Sequence, residues 1–143
     1  MNAGHILVVD DEEAVRALVV RMLSFEGFRV TAARDGAEAL AMLVNGGHAL
    51  APVDLLLTDA NMPRLSGLGL IDALRDKGVD VPTLVMSGNG DEELAWEVES
   101  RGCAGLLRKP FASTLLIGSI RQAIESKAHR ARLCRPGSPR EGA

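Results

Sequence analysis

The chain has 143 residues, 47% of them apolar and 24% charged, with a formal net charge of −3 and only two cysteines. That is enough apolar chain for one domain with a single core. No apolar run approaches the roughly 20 residues of a membrane-spanning helix, and the stretch before His5 is too short and too uncharged for a secretory leader, so a cytoplasmic protein with no membrane contact is expected.

The charge is unevenly distributed. Residues 1–126 carry 18 acids and 11 bases, a net −7, whereas 127–143 carry Lys127, Arg130, Arg132, Arg135 and Arg140 against Glu141, a net +4. An acidic body whose aromatics are Phe25, Phe28, Phe111 and Trp96 is a poor surface for nucleic acid, and no direct binding to it is expected. The division expected is a folded body over 1–126 and a basic, disordered tail over 127–143. Cys103 and Cys134 have neither metal nor disulfide spacing, and His5, His48 and His129 share no ligand spacing.

In chain order, His5–Val9 is a continuous apolar run ending in Asp10-Asp11-Glu12-Glu13, as in a strand buried on both faces that hands over to a helix. Val15, Leu18, Val19, Met22 and Leu23 fall on one helical stripe, which Gly27 stops. Phe28–Ala32 reads as the second strand, and Ala37–Val44 as a helix ended by Asn45-Gly46-Gly47. Asp54–Asp59 is the third strand. It is too short for a helix and ends in a carboxylate, and Pro63 halts it, because proline has no N–H to give a ladder.

After the Leu65-Ser66-Gly67 turn, Leu68, Leu70, Ile71 and Leu74 keep helical spacing up to Gly78. Val81–Met86 is strand four, followed by Ser87-Gly88-Asn89-Gly90. An acidic helix over Asp91–Arg101 carries Trp96, expected as a helix contact. Cys103–Leu107 is strand five, running into Arg108-Lys109-Pro110-Phe111, and the last helix spans Ser113 to about Lys127.

Five strands alternating with five helices, each connection long enough for a crossover, require a parallel sheet covered by helices on both faces. In the order 2-1-3-4-5, a ligand sits outside the carboxyl ends of the strands, between strands one and three. Those ends supply Asp10 and Asp11, Asp59, Ser87 and Lys109. Three adjacent carboxylates repel unless a cation sits among them, and hard oxygen donors suit Mg²⁺. A lysine and a hydroxyl facing the same ion can hold the oxygens of a phosphoryl group. The nucleophile is then a carboxylate, because Ser87 has no His partner to activate it.

Asp10-Asp11, Thr58-Asp59-Ala60-Asn61-Met62-Pro63, Ser87-Gly88 and Lys109-Pro110-Phe111 together resemble the receiver domain of bacterial two-component response regulators, over about Ile6 to Ile124. The resemblance implies a flavodoxin-like (βα)5 fold and a phosphoacceptor role for Asp59, which would take a phosphoryl group from a sensor histidine kinase or a histidine phosphotransfer protein and signal to a downstream protein. It implies Mg²⁺ (or Mn²⁺) held by Asp11, Asp59 and the backbone carbonyl of Asn61, with Asp10 partly through water. Lys109, with a cis bond to Pro110, would bind one phosphoryl oxygen and Ser87 another. Asn61 and Asn89 would flank the phosphoryl group and set how long it survives.

One position departs from the family pattern. Leu106 stands three residues before the lysine, where the family usually has a switch Tyr or Phe, so the coupling from Ser87 to the surface is expected to be weaker or differently built. Two other functions share part of this chemistry. An aspartate-nucleophile phosphatase usually has a second acid where this chain has Asn61, and a cap domain. A pseudo-receiver, an interaction module that takes no phosphate, would not require the full acid, hydroxyl and lysine set. The expectation is a signalling phosphoacceptor and not an enzyme.

Overall fold

The computed structural model describes residues 4–45, 52–88 and 92–133. Its elements are β1 (His5–Val9), α1 (Glu13–Phe25), β2 (Arg29–Ala33), α2 (Gly36–Asn45), β3 (Leu55–Asp59), α3 (Gly67–Asp76), β4 (Thr83–Ser87), α4 (Glu92–Ser100), β5 (Gly105–Arg108) and α5 (Ser113–Leu133). The strands form one parallel sheet in the expected order, β2-β1-β3-β4-β5. β3 is central, in register with β1 from Ile6–Leu55 to Val9–Thr58 and with β4 from Leu56–Thr83 to Asp59–Met86.

Every residue of β1, β3 and β4 is buried. Both faces of these strands are covered, which is why they read as unbroken apolar runs and not as alternation. Successive side chains enter opposite layers. Ile6, Val8, Leu55, Leu57 and Met86 pack with Val19 and Leu23 of α1 and with Leu116 and Ile120 of α5. Leu7, Val9 and Leu56 pack with Ala39 of α2 and with Leu70 and Leu74 of α3. Val85 meets Ile71 of α3 and Val98 of α4. The result is the flavodoxin-like three-layer sandwich, with two helices on one face and three on the other.

Local chemistry sets the helix ends nearest the strand tips. Glu12 is the N-cap of α1 and makes no side-chain cap bond, so Asp11 is not used as a cap. Ser66 caps α3 by accepting from the N–H of Gly69 at 3.1 Å. At the opposite end of the molecule, Arg101 donates from Nε and Nη2 to both oxygens of Asp72, at 2.9 and 3.0 Å, tying the end of α4 to α3.

Two elements differ from the sequence reading. Trp96, expected to be packed as a helix contact, is 67% exposed. α5 runs past Lys127 to Leu133, because Ala, Arg and Lys are good helix formers and the next proline is Pro136. His48, Asn89, Cys134 and the rest of the tail, 134–143, lie outside the described residues. No helix among the described residues is long and apolar enough to cross a membrane.

Candidate functional site

The carboxyl ends of four strands meet at one edge of the sheet. Asp10 follows β1, Asp59 closes β3, Ser87 closes β4, and Lys109 follows β5, joined to Pro110 by a cis peptide. Asp10 and Ser87 are fully buried, Asp59 is 6% exposed and Asp11 is exposed. One carboxylate oxygen from each of Asp10, Asp11 and Asp59 lies within 4.8 Å of the others. Three of the expected site residues are therefore one cluster.

Lys109 joins that cluster. Its Nζ donates to Asp10 Oδ2 at 3.0 Å and to Asp59 Oδ1 at 3.3 Å. The backbone holds the lysine from behind, with the Lys109 N–H donating to the Ser87 carbonyl at 2.7 Å. Asp10 uses both side-chain oxygens, because its Oδ1 accepts the N–H of Glu12 at 2.9 Å. Asp11 accepts no hydrogen bond among the described residues, which leaves its carboxylate open to an incoming group.

The electrostatics follow from burial and from this unequal count. Burial pushes the Asp59 carboxyl above its ordinary range; Lys109 opposes that rise, while the negative Asp10 and Asp11 add to it. Burial alone would lower the pKa of the Lys109 ammonium, but its bond to Asp10 and the charges of Asp10 and Asp59 outweigh that and raise it. Three carboxylates against one ammonium leave an excess of negative charge when all are ionised. Clustered hard oxygens, one of them exposed and unbonded, fit a divalent cation of the Mg²⁺ class.

Asn61, two residues beyond Asp59, is exposed, and Asn89 is outside the described residues. Leu106 is half-buried on β5 against the cluster of Ala60, Ile71, Val85 and Val98. It fills apolar space in that cluster, which includes Ala60, the residue that follows Asp59.

Two contributors were not identified from the sequence. Arg16 of α1 donates from Nη1 to the Asp10 carbonyl at 2.8 Å. In sequence it is one more arginine on an amphipathic helix, and nothing distinguished it. Gly67 was read only as part of a turn, yet its φ lies outside the left-handed region, so the glycine is there for space. A methyl group on it would stand 2.4 Å from the Asp59 carbonyl oxygen and 3.1 Å from Ala60 Cα. A glycine in the first turn of a helix just after its Ser cap was the available signal. Gly67→Ala is expected to lose about 2 kcal/mol in urea unfolding and to move Asp59 as α3 backs away. An unchanged midpoint would show that the α3 start yields freely.

Comparison with known proteins gives a consistent set of likenesses. The family model described as "Response regulator receiver domain" matches residues 6–121. The transcriptional regulatory protein FixJ of Rhizobium meliloti (strain 1021) is 34% identical over 125 residues, which cover 87% of this chain and 59% of FixJ. Response regulator MprA of Mycobacterium ulcerans (strain Agy99) is 40% identical over 120 residues, covering 84% of this chain and 50% of MprA. The crystal structure of FixJ-N superposes with a TM-score of 0.77 at 33% identity, covering 87% of this chain and 96% of that one. The chain thus spans between a half and three-fifths of the curated relatives it matches.

Proposed function

This chain belongs to the response regulator receiver domain family of two-component signalling, and from that membership we propose that Asp59 is its phosphoacceptor. The observation that carries the reading is the position of Asp59. It is a nearly buried carboxylate on the central strand, within 4.8 Å of two other acids and 3.3 Å from a lysine.

In the proposed reaction, one Asp59 oxygen attacks the phosphorus of a phosphohistidine on a sensor histidine kinase or a histidine phosphotransfer protein. The O–P bond forms as the N–P bond breaks, and the leaving imidazole takes a proton. Water later cleaves the acyl phosphate, returning the carboxylate and inorganic phosphate. Asp11, Asp59 and the Asn61 carbonyl, with Asp10 partly through water, would hold Mg²⁺ or Mn²⁺, and the bound ion would supply charge neutralisation at the transferring group. Lys109 stands ready to pass from Asp59 to a phosphoryl oxygen, because its second anchor, Asp10, holds the ammonium within reach. Ser87 offers its hydroxyl from the neighbouring strand end, and Asn61 and Asn89 set the access of water. The phosphorylated surface then signals to a downstream protein, with Leu106 in the position where the family has its switch aromatic.

We read 1–126 as the receiver and 127–143 as a basic extension that α5 enters as far as Leu133, in a protein that works in the cytoplasm beside its kinase. The test is intact mass after incubation with Mg²⁺ and acetyl phosphate. Wild type is expected to gain one phosphoryl group and Asp59→Asn none. Uptake by the Asn variant would overturn the assignment of Asp59. No uptake by wild type from either acetyl phosphate or a phosphohistidine donor would favour a pseudo-receiver.

A further inference from the structure

Asp11 is the exposed member of the acid cluster, and among the described residues its side chain makes no bond that would orient it. Its direction is set by the two peptide planes on either side of it. The plane between Asp10 and Asp11 is held by Arg16, whose Nη1 donates to the Asp10 carbonyl at 2.8 Å. The plane between Asp11 and Glu12 is held by the Asp10 carboxylate, whose Oδ1 accepts the Glu12 N–H at 2.9 Å. We propose that Arg16 is a positioning residue for the divalent cation, acting through the backbone to aim the Asp11 carboxylate at the ion.

The inference rests on the reading of the acid cluster as a Mg²⁺ site. Arg16 is anchored on α1, one turn beyond the cap, where its own N–H bonds the Glu12 carbonyl at 2.9 Å. The helix therefore fixes the guanidinium, and the guanidinium fixes the loop. Outer partners that orient ligands in this way typically affect metal affinity strongly. The sign of the effect separates positioning from simple charge. A guanidinium acting only through its field would repel Mg²⁺, and its removal would tighten binding. One that aims a ligand weakens binding when removed.

The experiment is calorimetric titration of Mg²⁺, and separately Mn²⁺, into the unphosphorylated full chain, with thermal melting in EDTA as its companion. Arg16→Met, which keeps the apolar stem but no donor, and Arg16→Ala are expected to weaken Mg²⁺ binding about tenfold while melting within about 2 °C of wild type. Arg16→Lys, which keeps one cationic donor, is expected to stay within about threefold of wild type. Unchanged or tighter binding in the Met and Ala variants overturns the proposal and leaves the metal site standing. Weaker binding that tracks a fall in melting temperature, without rescue by Lys, also overturns it by making Arg16 merely structural. If wild type binds neither ion, the metal reading itself fails, and the role of Arg16 with it.

Discussion

Asp59→Asn is expected to make the metal-free protein more stable. Burial is the chief reason that the Asp59 carboxyl titrates above the ordinary aspartate value of 3.8. The folded state therefore binds more protons than the unfolded one between 3.8 and the raised value, and stability falls as pH climbs through that window. At neutral pH the ionised Asp59 opposes folding. Asn keeps an oxygen to accept from Lys109 and removes the charge. In EDTA at pH 7, Asp59→Asn should gain on the order of 1 kcal/mol, a few degrees in melting temperature. The gap should shrink as pH drops below the ordinary carboxylate range, where both proteins carry a neutral group at this position. Excess Mg²⁺ should close or reverse it at pH 7, because an ion that binds only the folded wild type stabilises that form alone. An Asn variant that melts lower than wild type in EDTA at pH 7 would show that the acids are not in excess there.

Lys109→Met should have the opposite and larger effect. Asp10 is fully buried, and Lys109 at 3.0 Å is its cationic partner. Removing that cation leaves a buried carboxylate beside two others. Breaking a buried pair from one side costs about 3 kcal/mol, which for a domain of this size lowers the melting temperature by roughly 10 °C. Adding Asp10→Asn should restore most of the loss, since the stranded charge goes with it; failure of that rescue would show that the cost lies in packing around the lysine stem. Phosphoryl uptake should fall about a hundredfold in Lys109→Met, with or without the second change, because a charged donor aimed at the transferring group is gone.

Much of the fold was legible because its signals are local. β1, β3 and β4 are short, apolar and buried on both faces, and turn residues stand between the elements. The gathering of acids, hydroxyl and lysine at one edge follows from parallel crossovers once those strands are recognised, with the order 2-1-3-4-5 taken from the doubly wound fold. What the sequence could not carry was which groups touch. Its reading gave Lys109 a phosphoryl oxygen as partner, and in the structure that ammonium lies between Asp10 and Asp59. Arg16 acts through a backbone carbonyl, and main-chain acceptors leave no mark on residue identity, whereas Gly67 marked its close approach to Asp59 only by being a glycine in the first turn of α3. Trp96 suggested burial by its size alone, but the face of α4 that it occupies is open. α5 outran its expected end because charged residues signal a tail by composition and a helix by propensity, and at 128–133 propensity prevailed.

The bond between Lys109 and Asp10 joins residues 99 positions apart. Asp10 therefore leaves the ribosome well before Lys109. Every intermediate chain that has made β1 and β3 but not β5 has its acids without their cation. Such a chain lacks both the ammonium and the strand that carries it, so with Asp59 as the proposed phosphoacceptor a half-made molecule would not compete with finished ones for phosphate. On that proposed role, completion of the sheet would be a condition for entering the signalling pool, set by the distance along the chain over which the site is divided.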